Sequence, residues 1–301
     1  MYATAKRFIA IILAAFCLLA FAACSGGDES SASGDTGIAM KDVKTVSDLR
    51  GKRIAAQSGT FHADALSQIP EVQSSTYPEF SDLLTALKSG AIDGYIAEEP
   101  TALSVCLGDD TLDYIKFINN ETGFSATDAD VGIAIGLKKG SDELKEKINS
   151  VLSGITAQQK AELMHQITLL ASGSSVDSFA VSCPEPEETS GVLKIGMECA
   201  YEPYNWTDIG GKSYGCVPIS GEGSDGLYAN GYDVQIAKYV ANKLGMKLEI
   251  YSLKWDSLIP AVQSGVIDGI VAGMSPTEER AKEIDFTQTY YTSNLVVIIR
   301  K

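Results

Sequence analysis

Histidine is nearly missing from this chain: His62 and His165 are the two in 301 residues. No Cys-x-x-Cys or Cys/His spacing accompanies them, which excludes a zinc site of the usual ligand set, and no cofactor is implied. Basic residues are scarce too, with 24 Lys and Arg against 39 Asp and Glu, a net charge of -15. Nucleic-acid binding needs a basic face, so this balance argues against it. Beyond the first residues no long apolar run remains, and nothing there is built to span a bilayer. The six cysteines are few enough to sort one by one.

What is present at the start is a leader pattern over residues 1–23. Lys6 and Arg7 precede an apolar run from Phe8 to Phe21, and Ala22-Ala23-Cys24 forms a small-residue cleavage site. The site ends in cysteine, as bacterial lipoprotein signals do, so Cys24 is the expected lipid-bearing residue; ordinary cleavage near Ala23 is the alternative. Losing Lys6 and Arg7 would take the charge from -15 to -17, because residues 1–23 hold no acid. Residues 24–41 open with a Ser-, Gly- and Asp-rich stretch that reads as a flexible tether. The expected location is the outer face of the cytoplasmic membrane, held by lipid alone.

Two stretches repeat one pattern. Ala86-Leu-Lys-Ser-Gly-Ala-Ile-Asp-Gly-Tyr-Ile-Ala97 and Ala261-Val-Gln-Ser-Gly-Val-Ile-Asp-Gly-Ile-Val-Ala272 lie 175 residues apart, since 265 minus 90 and 268 minus 93 both give 175. Such a period points to two similar lobes rather than a stacked array. Each copy reads as the end of an amphipathic helix, a glycine break and a buried strand with polar groups at its C-terminal end. Ligands of open α/β sheets sit outside those strand ends.

Around the repeats, short β-like runs alternate with helical ones. Strands are expected at Arg53–Gln57, Ile92–Ala97, Val131–Leu137, Val192–Met197, Leu248–Leu253, Ile267–Ala272 and Leu295–Arg300. Helices are expected at Phe61–Ile69, Glu79–Lys88, Asp142–Leu152, Ala157–Leu170, Gly231–Leu244, Ser257–Gln263 and Glu278–Glu283. The alternation predicts two Rossmann-like α/β lobes. Residues 173–191, rich in Pro and acid, read as a linker between a 42–172 segment and a 192–301 segment. Cys199 and Cys216 bracket a loop rich in Gly and aromatics and are expected to pair, leaving Cys106 and Cys183 as the second pair.

Residues 192–301 resemble the first lobe of the family 3 bacterial solute-binding proteins, the amino-acid receptors of ABC importers. The resemblance is carried by Ile195-Gly-Met-Glu-Cys-Ala-Tyr-Glu-Pro-Tyr204, Gly231-Tyr-Asp-Val-Gln-Ile-Ala237 and Trp255-Asp-Ser-Leu-Ile-Pro260, and by Ala272-Gly-Met-Ser-Pro-Thr-Glu-Glu-Arg280 with Ile284-Asp-Phe-Thr287. Residues 43–170 resemble the remainder, through Val46-Ser-Asp-Leu-Arg-Gly-Lys52, Gln57-Ser-Gly-Thr60 and Gly90-Ala-Ile-Asp-Gly-Tyr-Ile-Ala-Glu98. The resemblance implies the type II periplasmic-binding-protein fold, capture of a polar amino acid, a basic one being favoured, and a membrane permease of an ABC importer as partner.

It also implies roles for particular residues. Arg280 would hold the ligand's α-carboxylate, which its planar fork suits better than lysine does; otherwise it pairs with neighbouring acids. Glu98 would accept from the α-ammonium, or else serves as a helix N-terminal acid before Pro100. Ala272, Gly273 and Ser275 match the stretch that contacts ammonium or carboxylate, and Gly59 and Thr60 face them from the other lobe. Tyr201, Trp206 and Trp255 are candidates for apolar walls, with Tyr204 closer to ordinary core. Glu198 matches an acid near the side chain of cationic ligands, and Gln57, Phe61 and His62 adjoin it.

The halves run in the reverse of the family's order. Circular permutation, a rearranged remnant of a tandem array, and exchange of lobes in a dimer all fit that order. About 19 linker residues at ~3.3 Å each reach some 60 Å, enough for a monomer. A permuted chain would have one hinge crossing cut, between Lys301 and the region of Lys41. The rival functions are an enzyme of the cyclohexadienyl-dehydratase kind on the same fold, a sensory lipoprotein without an importer, and an inactive remnant.

Overall fold

The computed structural model describes residues 37–301; the leader, Cys24 and most of the tether lie outside them. The first strands are β1 (Ile54–Gln57), β2 (Ser75–Tyr77), β3 (Gly94–Glu98) and β4 (Leu112–Lys116), followed by the two-residue β5 (Gly132–Ile133) and β6 (Gly136–Leu137). The second half opens with β7 (Val192–Met197) and a meander of β8 (Ala200–Tyr201), β9 (Asn205–Ile209), β10 (Val217–Pro218) and β11 (Leu227–Asn230). It continues with β12 (Lys247–Ser252), β13 (Gly269–Ile270), β14 (Asp285–Phe286), β15 (Tyr291–Thr292) and β16 (Leu295–Arg300).

Two five-stranded sheets form, in the orders β2-β1-β3-β16-β4 and β12-β7-β13-β6-β14. In each, three parallel strands are joined by a fourth, antiparallel one from the other half of the chain. The β1 lobe and the β7 lobe are therefore α/β units of one topology, each completed by a strand that the other half supplies.

The repeat explains why the two match. Helices Phe80–Ser89 and Trp255–Ser264 sit 175 residues apart and end at Gly90 and Gly265, with φ of 80° and 79°. That left-handed cap is where glycine avoids a Cβ penalty. The repeated Asp does structural work. Asp93 Oδ2 accepts from the Arg53 amide at 2.9 Å, and Asp268 Oδ2 accepts from the Lys194 amide at 2.9 Å. The Asp93 and Asp268 amides donate in return to the Arg53 and Lys194 carbonyls, at 2.8 Å each. Each carboxylate thus stitches the start of one strand to its neighbour and fixes where both strand ends emerge.

Strand β16 is apolar from Leu295 to Ile299 because both faces of its sheet are covered. Val296 and Ile298 join the larger core, whereas Leu295, Val297 and Ile299 face the smaller one. Burying each is worth roughly 1.5–3 kcal/mol. The strand's outer end, at Arg300 opposite Leu112, is remote from Glu98 and the lobe interface.

The apolar run expected as one strand over Val131–Leu137 is divided. Its first part pairs with β15, Tyr291 opposite Ile133, and its second enters the β7 sheet. Both crossings between the lobes therefore run side by side as an unbroken ribbon. This corrects the expectation of a cut hinge, since Lys301 lies beyond β16 and bonds the Thr111 carbonyl.

Residues 173–191 are less free than their composition suggests. Phe179 and Val181 are buried, Asn242 donates to the Cys183 carbonyl at 2.9 Å, and Ser190 donates to Gly245. The expected Cys199–Cys216 and Cys106–Cys183 bridges are absent: all four are free thiols. Cys199 is buried behind the meander with its amide on Asn205, while Cys216 lines a separate hollow with Cys183 and Tyr239. Among the described residues no helix is long and apolar enough to cross a membrane.

Candidate functional site

The C-terminal ends of the parallel strands in the two lobes face each other. From the β1 lobe come Gln57, Thr60, Phe61, His62 and Phe80; from the β7 lobe come Tyr201, Trp255, Ala272, Gly273, Ser275 and Arg280. With the lobes closed these side chains enclose about 10 Å³, room for a single water. Sites for small molecules usually measure about 300–1,000 Å³, so entry of a ligand requires the lobes to part.

Arg280 is the cation of this interface. Its Nη1 donates to the Ser275 carbonyl at 2.9 Å, and its Nη2 crosses the cleft to the Gly59 carbonyl at 2.8 Å. The guanidinium lies over the Trp255 ring at 5.1 Å, and Trp255 Nε1 donates to the same Gly59 carbonyl at 3.2 Å. Among the described residues no carboxylate forms an ion pair with Arg280; Asp64 and Glu279 act on it only at longer range. Burial lowers its pKa to about 10. A desolvated guanidinium without a counter-ion is costly, and an incoming carboxylate would relieve that cost.

The acids are arranged differently. Glu98 ends β3 and precedes helix Glu99–Gly108, with Pro100 in its first turn, where the helix dipole favours an anion. It is 4% exposed, its Oε1 lies 3.1 Å from His62 Nε2, and its Oε2 has no partner. His62 thus stands between Glu98 and the cleft, and Glu98 itself does not line the small cavity. Glu198 is half-buried at the end of β7, and its Oε1 accepts from Gln57 Nε2 at 3.0 Å across the lobes. Burial raises its pKa to about 7, against the lowering effect of the Gln57 amide.

Two glycines shape the floor. Gly59 has φ +68° and packs a turn against Trp255 and Asp256, while Gly273 has φ +61° with the Tyr201 ring 3.2 Å from where a Cβ would be. A side chain at either position would be strained and crowded. The hydroxyls are already engaged: Thr60 Oγ1 donates to the Gln57 carbonyl at 2.8 Å and Ser275 Oγ to the Asp130 carbonyl at 2.8 Å. Phe80 stacks on Tyr201 across the cleft, centroids 4.0 Å apart and planes 10° from parallel, with Tyr204 tilted behind Tyr201 at 5.0 Å.

Most of the expected residues therefore meet at this cavity, whereas Glu98, Glu198 and Trp206 do not line it. Trp206 lines not this cavity but a neighbouring chamber of about 330 Å³, shared by Phe80, Tyr95, Thr101 and Glu202. Its place on β9, whose alternate residues face opposite sides, directs the indole there. Phe80 was missed. As the residue 175 positions before Trp255 it was legible in principle, because both open the equivalent helix at the cleft. Asp233 was missed too. Fully buried, it accepts from Tyr290 Oη at 2.6 Å and from Asn205 Nδ2 at 2.8 Å, and burial raises its pKa to about 7. The Gly273 amide also bonds it, so Asp233 fixes the loop behind the site.

Residues 193–301 match the model of the bacterial extracellular solute-binding proteins, family 3. The chain is 41% identical over 71 residues to the arginine-binding extracellular protein ArtP of Bacillus subtilis, covering 24% of this chain and 28% of that one. It is 27% identical over 133 residues to the L-cystine-binding protein TcyJ of Escherichia coli, covering 44% of each. An ancestral arginine-binding protein solved with arginine is 36% identical over 35% of this chain and 39% of its own, with a TM-score of 0.27. The chain thus spans between about a quarter and under half of the length of the curated relatives it matches.

Proposed function

We propose that this chain, a member of family 3 of the bacterial extracellular solute-binding proteins, captures a free amino acid between its lobes. The observation that carries the reading is the Arg280 guanidinium, held at the interface by two carbonyl oxygens and no carboxylate. An α-carboxylate fits that fork and would take over the contact Arg280 now makes to Gly59. The α-ammonium would go to Glu98, which lies behind His62 and has one oxygen without a partner.

The side chain would run between Tyr201 and Trp255 towards Glu198. A carboxyl that burial holds near neutral pH regains its charge when a cation arrives, so a basic side chain is favoured. The relatives, an arginine-binding and an L-cystine-binding protein, agree with an amino acid and leave its identity open. Capture is a hinge motion about the β5–β15 ribbon, and closure buries the charges where pairing is strongest.

Delivery to a membrane permease of an ABC importer, export by the leader and anchoring through Cys24 complete the proposal. Both five-stranded sheets form within one chain. Light scattering should then report a monomer; an obligate dimer would argue for exchange. Calorimetry with a panel of L-amino acids tests the function. Binding of one class, strongest for basic members, is expected; silence across the panel would sink it.

A further inference from the structure

The chamber beside Trp206 has the size of a ligand site and draws its walls from both lobes. It measures about 330 Å³, and small-molecule sites run from about 300 to 1,000 Å³. Helix Phe80–Ser89 turns Phe80 and Leu84 to it, and helix Glu99–Gly108 turns Thr101 and Val105. Each pair is four residues apart and so shares one helix face. Leu83 and Leu87 are fully buried in the core, whereas Leu84 is only half-buried and faces the chamber. The β7 lobe supplies Cys199 and Trp206 on the opposite side. Phe80 is common to the chamber and the cleft, and its ring stacks on Tyr201, so this aromatic pair is the partition between them.

One atom of the wall lacks a partner. Thr101 is 3% exposed, and its Oγ1 makes no hydrogen bond among the described residues. A threonine inside a helix can bond the carbonyl four residues back, but here that residue is Ala97, in strand β3. The hydroxyl is left to the chamber, where it can both donate and accept. Around it Phe80, Leu84, Val105 and Trp206 are apolar. The Cys199 thiol is neutral, since burial pushes its pKa up to about 12. Glu202 stands on the wall as its one charged side chain, and no basic residue lines it.

We propose that this chamber is a second binding site, for a neutral single-ring aromatic molecule that carries one hydroxyl. The ring lies among Phe80, Leu84, Val105 and Trp206, and the hydroxyl pairs with Thr101. An anion meets Glu202 and finds no cation, while a plain hydrocarbon leaves the Thr101 hydroxyl unpaired, which is costly in a buried place. The occupant bridges the lobes, across the Phe80–Tyr201 partition from Arg280. A molecule that needs both lobes together favours any other that needs the same. For this consequence alone the proposal rests on the amino-acid reading above: the aromatic and the amino acid strengthen each other's binding, reciprocally.

Ligand-observed NMR on the full chain, with phenol and toluene as probes, tests the site, because the two rings match in shape and differ in the hydroxyl. Phenol should bind about five- to tenfold more tightly than toluene, and benzoate more weakly than either. Thr101→Val keeps the side-chain shape and removes the hydroxyl, so the two probes should then bind within about twofold of each other. Leu84→Trp, which fills the chamber from outside the amino-acid cleft, should abolish phenol binding. No binding of phenol, equal binding of phenol and toluene to the wild type, or a preference that survives Thr101→Val overturns the site. For the bridging, phenol should tighten L-arginine binding at least about fivefold by calorimetry. X-ray scattering should also show a more compact chain with phenol, with or without an amino acid. If phenol binds and changes neither, the bridging is overturned and amino-acid capture stands. Silence of the whole amino-acid panel, with phenol binding and compaction intact, sinks the capture alone and leaves this site.

Discussion

The two lobes share a topology and a repeat, yet they arm their strand ends differently. In the β1 lobe, β3 runs straight into helix Glu99–Gly108 and buries Glu98 at its start. In the β7 lobe, the residue 175 positions later is Gly273, with φ +61°, and a loop intervenes before the single turn Arg280–Glu283. The position matching Arg280 in the β1 lobe is Val105, inside a helix. One copy of the motif therefore hides an acid and the other displays a cation. On the function proposed above, a duplicated scaffold becomes a zwitterion clamp when only the segment just past the strand end diverges.

The largest effect should follow from removing the cation. Arg280→Ala leaves the carboxylate subsite without its fork, and affinity for any amino acid should fall at least a hundredfold by calorimetry, about 3 kcal/mol or more. Undiminished binding would put the carboxylate elsewhere.

Next comes Glu198, the acid that the β7 lobe brings to the interface. Glu198→Gln keeps the contact with Gln57 but removes the charge, so arginine should weaken roughly tenfold or more relative to glutamine. Glu198 carries a raised pKa, so in the wild type its charged form appears only as pH rises through about 7. Preference for arginine over glutamine should therefore grow across that window, and a flat ratio would argue against Glu198 as the selector.

The aromatic equivalents sharpen the comparison further. Phe80 stacks across the lobes and Trp255 lies under Arg280, so Phe80→Ala should weaken closure while Trp255→Ala loosens the cation. Each should cost about 0.5–1.5 kcal/mol of binding beyond lost area. Scattering in solution would show a more open ligand-free form for Phe80→Ala only.

The last prediction concerns stability rather than binding. Asp233 has its folded pKa raised from 3.8 to about 7, so the native state holds a proton that the unfolded chain has released. Its contribution is full below about pH 3.8 and is lost as pH rises towards about 7. Urea midpoints of Asp233→Asn should show a shallower decline over that range than the wild type.

Much of the scaffold was legible because it is local. The helices at Phe80–Ser89 and Trp255–Ser264, their glycine caps, and the strands Val192–Met197 and Leu295–Arg300 follow from periodicity and break residues. The exchange of β6 and β16 was not, since an apolar run such as Val131–Leu137 looks the same whether it serves one sheet or crosses between two. The meander β8–β11 hid in a stretch rich in Gly, Ser and Asp that reads as loop. The site showed a similar divide. Arg280, Glu98, Thr60 and the glycines were marked by motif, whereas the His62–Glu98 pair joins residues 36 positions apart and appears only when helix and strand pack.

The most direct test is a crystal structure of the protein loaded with the amino acid that calorimetry selects. The α-carboxylate should lie on the Arg280 guanidinium at about 2.8 Å, with the α-ammonium against Glu98. A ligand bound elsewhere, or one whose acid and amine ends touch neither residue, would contradict the account.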